Sequence, residues 1–105
     1  MKKDELSSYL KVSCTGAKNA RSACELRSAL RMSENELRRN VNRLRREGVP
    51  IASDSRGYYY AETAGEIYST IRNLKKLVSG LNSAISGLEM SMNHYGEKTG
   101  SGDRR

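Results

Sequence analysis

The chain has no tryptophan and no phenylalanine, and only one proline and one histidine in 105 residues. Without the two large apolar rings a core can form, but a thin one. An extended element that buries little by itself suits such a composition. No apolar run approaches the roughly 18 residues that a membrane-spanning helix needs. The opening Met1-Lys2-Lys3-Asp4-Glu5 turns polar and acidic at once, so no secretory signal is expected. Cys14 and Cys24 stand ten apart without a metal-type partner set, and His94 is isolated near the end. Both cysteines are expected to be reduced, small and partly buried in a cytoplasmic protein. Catalysis lacks its parts, since there is no nucleophile–base pair, no metal cluster and no phosphate loop. The expectation is therefore a non-enzyme with no cofactor, no metal and no small-molecule ligand.

What the chain has is positive charge. Nineteen Lys and Arg stand against twelve Asp and Glu, a formal net charge of +7. That balance favours a polyanionic partner, nucleic acid or an acidic membrane surface. The charge gathers in Ser33–Gly48. Ser33 and Glu36 have the spacing of a capping box, so a helix starts there. Gly48 can take the left-handed conformation and Pro50 bars continuation, so it ends there. Leu37, Val41 and Leu44 form one apolar stripe. At about 100° per residue Asn35, Arg39, Asn42, Arg43 and Arg46 fall on the opposite side, with Arg38 and Arg45 flanking them.

Around this helix the chain reads in order. Residues 3–12 suggest a first helix with Leu6, Tyr9 and Leu10 on one face and Val12 at its end. Thr15 to Asn19 is a loop by composition. A second helix opens at Ser22 with another capping box, to Glu25, and turns Leu26, Ala29 and Leu30 to one side. Arg31-Met32 leaves hardly any room before Ser33. Two short helices joined so tightly, the second with a basic outer face, match the helix-turn-helix pattern. Residues 49–53 and Tyr58 to Ala61 suggest two strands around an Asp54-Ser55-Arg56-Gly57 turn, a hairpin with Arg56 at its tip. Ile51, Tyr58 and Tyr60 are placed toward the helices and Tyr59 is left open.

Thr63 and Glu66 form a third capping box. Beyond it Ile67, Ile71, Leu74, Val78, Leu81, Ile85, Leu88 and Met92 recur at alternating spacings of four and three, a heptad seam. Ile71, Val78, Ile85 and Met92 take position a, and Ile67, Leu74, Leu81 and Leu88 take position d. β-Branched residues at a with Leu at d favour two parallel strands. Leu77 and Ala84 at g widen the apolar face, which leaves an antiparallel pair, a tetramer or packing on the first helix open. A helix over 64–92 is about 43 Å long, too long to bury this stripe on a domain roughly 25–30 Å across. The eight seam residues are therefore expected to make a homodimer. The polar face is too weakly basic for membrane binding. From His94 a loose tail is expected, with weak phosphate affinity at Arg104-Arg105.

Several strings carry a resemblance. Glu25-Leu26, Met32-Ser33, Leu37-Arg38, Val41, Leu44-Arg45-Arg46-Glu47-Gly48, Pro50-Ile51 and Gly57-Tyr58 make Ser22–Ala61 resemble the N-terminal winged helix-turn-helix module of the biotin operon repressor type. With Asn19-Ala20 before and Ala61-Glu62-Thr63 after, the chain also resembles small helix-turn-helix proteins of bacteriophages and prophages. One departure matters: the turn between the helices usually has Gly where this chain has Arg31. A turn that needs positive φ there strains Arg31, and a different turn aims the following helix at a different angle.

The fold expected is mainly α with a small β-hairpin: a winged helix-turn-helix over 1–62, a coiled-coil helix over 63–93 and a disordered tail over 94–105. The resemblance implies a bacterial, phage-type regulator that binds double-stranded DNA as a homodimer. Asn35, Arg38, Arg39, Asn42, Arg43 and Arg46 would face the major groove, and Arg56 the neighbouring backbone or minor groove. The other class open to such a sequence is a protein-interaction or replication accessory factor, because winged helices also bind proteins.

Overall fold

A computed structural model describes residues 2–95. Among them four helices and one hairpin follow in the order α1 (Lys2–Ser13), a 3-10 turn (Ala17–Asn19), α2 (Ala23–Leu30), α3 (Glu34–Arg46), β1 (Ile51–Asp54), β2 (Gly57–Tyr60) and α4 (Ala64–Met92). The tail expected from 94 lies outside the described residues, Arg104 and Arg105 included, except for its first two positions. His94 and Tyr95 donate their N–H groups to Ser91 O and Met92 O and so extend the end of α4 by a turn.

The helix starts follow local chemistry. Ser22 accepts from the Glu25 N–H at 3.1 Å, and the Glu25 carboxylate accepts from the Ser22 N–H at 3.0 Å. Ser33 and Glu36 repeat this exchange at 3.1 and 2.9 Å. Thr63 and Glu66 repeat it again, both at 3.2 Å. Each box satisfies two N–H groups that a helix start would otherwise leave bare. Glu66 does more. Its second oxygen accepts from the Ala17 N–H at 2.9 Å, which ties the 3-10 turn to the start of α4.

The core of the first unit, which runs to Ile71, joins Leu6 and Leu10 of α1, Cys14, Leu26 of α2, Met32, the Leu37-Val41-Leu44 stripe of α3, and Ile51, Ala52 and Tyr59 of the hairpin. Burying each large aliphatic contributes about 1.5–3 kcal/mol before chain entropy is subtracted. Leu30 is only partly buried and Ala29 is exposed, so α2 turns mainly Leu26 inward. Cys24 is exposed and free, against the expectation of partial burial, whereas Cys14 is buried and free.

The hairpin completes the tyrosine assignment: Tyr58 and Tyr60 pack against the core, and Tyr59, left open by the sequence, is the most buried of the three. Ala52 pairs with Tyr59 and Ile51 with Tyr60 across antiparallel strands. Tyr59 is 3% exposed, and Tyr58 and Tyr60 are only partly buried. Both faces are covered, which alternation alone does not reveal. One face meets the helices. At the free edge of β1, the Ser53 N–H donates to Thr70 Oγ1 of α4 at 3.1 Å. β2 is also paired along both edges. The Tyr60 N–H donates to Cys14 O, the Gly16 N–H to Tyr60 O, and Arg21 and Tyr58 exchange two bonds at 2.9–3.0 Å. Gly57 makes this approach possible, because a Cβ there would lie 2.0 Å from the Arg21 carbonyl oxygen.

A second unit begins at Arg72, within α4. Among the described residues no helix is long and apolar enough to cross a membrane.

Candidate nucleic-acid interface

Only Arg31, Met32 and Ser33 separate α2 from α3. Arg31 sits at φ 55° and ψ 54°, the one non-glycine residue at positive φ among those described. A side chain in that region costs about 1–2 kcal/mol. The conformation is held from both directions. The Arg31 and Met32 N–H groups return to the Arg27 carbonyl. The Lys2 ammonium donates to Leu30 O at 3.0 Å and Arg31 O at 2.5 Å, capping carbonyls that α2 leaves open at its end. At the far end of α3, Gly48 takes φ 92° and the Val49 N–H returns to Leu44 O.

Between these ends α3 buries Leu37, Val41 and Leu44 and exposes its other side. Arg39, Asn42, Arg43 and Arg46 are all exposed and, with Asn40, line one shallow concavity. Among the described residues no carboxylate lies within ion-pair distance of Arg39, Arg43 or Arg46. The two acidic residues of the first turn are engaged elsewhere. Glu36 is held below the ordinary carboxylate range by the Ser33 backbone N–H, and Glu34 lies 3.5 Å from Arg38. Asn35 and Arg38 are exposed nearer the start of the helix and do not line the concavity.

Arg56 projects from the hairpin turn, apart from that cluster. Its guanidinium meets Asp54 Oδ2 at 2.7 Å, and its N–H donates to Asp54 Oδ1 at 2.8 Å. The Arg56 guanidinium accordingly holds the Asp54 carboxyl below its usual range. Arg56 thus presents less than a full free cation.

Arg45 flanks the basic face on a helical wheel but serves the core. Its Nε donates to Ile51 O at 2.8 Å and its Nη2 to Ser53 Oγ at 3.2 Å, pinning β1 to α3. Burial lowers its pKa, with Tyr58 opposing. Lys3 and Glu47 form a second tie, at 2.8 Å, between α1 and the end of α3. The positioning roles of Lys2, Arg45 and Glu66 depend on residues distant in the chain, and no local spacing announces them.

Among the described residues no group of three His, Cys, Asp or Glu is placed to hold a metal ion. No protein-family model, curated protein or solved structure matches the chain.

Proposed function

We propose that the chain is a winged helix-turn-helix protein that binds double-stranded DNA as a homodimer and regulates transcription in the manner of phage and prophage regulators. The observation that carries this reading is the outer face of α3. Three arginines and an asparagine stand exposed around one concavity, without carboxylate partners, on a helix that follows a three-residue turn. Arginine suits guanine edges, asparagine suits adenine edges, and both hold phosphate. At about 20 Å, α3 is a length that a major groove accepts. Asn35 and Arg38 extend the contact at the start of the helix, and the hairpin is the wing, with Arg56 against the adjoining backbone. The seam residues of α4, exposed in the single chain, support the pairing of two such heads.

The test is a mobility-shift titration on duplex DNA over a salt series. With about six phosphates contacted per head, log K should fall against log[salt] with a slope of roughly −5 per head. A flat response overturns the reading. Arg39→Ala and Arg43→Ala should each weaken binding, and the pair together should abolish it. Selection from random duplexes should yield a palindromic consensus.

A further inference from the structure

Leu74 is 37% exposed, and Val78, Leu81, Ile85, Leu88 and Met92 lie between 52% and 68%. We propose that these six side chains pack against the same six of a second copy in antiparallel orientation, with Lys75 of each chain beside Glu89 of the other. This rests on the homodimer reading above and adds its direction and register.

The first step is where the pairing starts. Thr70 occupies position g, the flank of the seam, yet it is only 4% exposed, because its hydroxyl accepts from the Ser53 N–H of the hairpin. The chain's own hairpin covers that flank, and although Ile67 and Ile71 are 38% and 42% exposed, the pairing proposed begins at Leu74, clear of the hairpin. Over the stretch from Leu74 to Met92, parallel and antiparallel pairs bury the same six residues per chain. The β-branched and leucine pattern sets the number of strands within the parallel class and does not choose between directions.

Flanking charge makes that choice. Lys75 and Glu89 both fall at position e, and no g position of the helix carries a charge. In a parallel pair e faces g of the partner, so Lys75 meets Thr70 and Glu89 meets Ala84, and neither finds an opposite charge. That arrangement also sets Arg72, Lys75 and Lys76 of the two chains side by side. In an antiparallel pair e faces e. The register that layers Leu74 on Met92, Val78 on Leu88 and Leu81 on Ile85 brings Lys75 opposite Glu89, and two-fold symmetry does so twice. It also sets Ala84 against its own copy near the axis and sends the two cationic ends apart.

The test uses the full chain carrying Cys24→Ser, since Cys24 is exposed and Cys14 is buried. Chains carrying Leu81→Cys are mixed with chains carrying Ile85→Cys under mild oxidation. The antiparallel register yields the mixed disulfide and little of either symmetric one. In sedimentation equilibrium at low salt, Lys75→Glu and Glu89→Lys should each weaken the dimer about tenfold, and the two changes together in one chain should restore it. Circular dichroism checks that each variant stays helical. A symmetric Leu81→Cys disulfide, with no effect of the charge changes, overturns the direction and leaves the homodimer reading standing. A chain that stays monomeric at tens of micromolar overturns both.

Discussion

Two arginines that look alike in the sequence do different work from their neighbours. Arg31 holds a left-handed backbone with a Cβ in place, and its carbonyl and that of Leu30 are held by Lys2. Glycine at this position keeps those carbonyls and removes the steric penalty. Arg31→Gly should therefore stabilise the chain by about 1 kcal/mol, read as a higher urea midpoint at unchanged slope. Arg45 is the reverse case. Arg45→Ala removes two charge-assisted hydrogen bonds and leaves the Ile51 carbonyl without its donor. It should cost about 2 kcal/mol of stability. Arg39→Ala and Arg43→Ala, exposed on the same helix, should shift stability by no more than about 0.5 kcal/mol while weakening DNA binding.

At the scale of elements, the boundaries that depend on residues three apart were legible. The boxes Ser22–Glu25, Ser33–Glu36 and Thr63–Glu66 announce three helix starts, and Leu37, Val41 and Leu44 announce the buried side of α3. The side chains around the concavity follow from the same periodicity. The hairpin was harder. Alternation sets Tyr58 and Tyr60 on one side and Tyr59 on the other, but which side is buried depends on what α4 and residues 14–21 contribute, and no local pattern carries that. Arg45 and Arg46 are adjacent in the chain, and only the position of β1 separates a pin from a free cation. The capping carboxylates also set an acid limit. The Ser22 backbone N–H lowers Glu25, and the N–H groups of Glu62, Ala17 and Thr63 lower Glu66. A folded pKa below the unfolded one gives stability that is present above about pH 4.3 and lost as pH falls through the folded value. The urea midpoint should hold steady from pH 7 to pH 5 and drop below about pH 4. Glu66→Gln should lower it at pH 7 and make the acid drop shallower.

The whole molecule combines a head whose basic concavity is small with a helix whose apolar seam is exposed. On the proposed DNA-binding reading, one α3 offers a handful of contacts, enough for weak binding with little selectivity. On the same reading, two heads on one palindromic site would multiply those contacts, provided two chains have met. Below the dissociation constant of the proposed pair, most chains would be single and the binding species scarce. Site occupancy measured there should rise with the square of total protein, a slope near two on logarithmic axes, and flatten to one where dimers predominate. On that reading the bare apolar row on α4 would act as a dose sensor. Doubling the chain concentration would then raise the number of engaged sites nearly fourfold, and halving it would cut that number by the same factor.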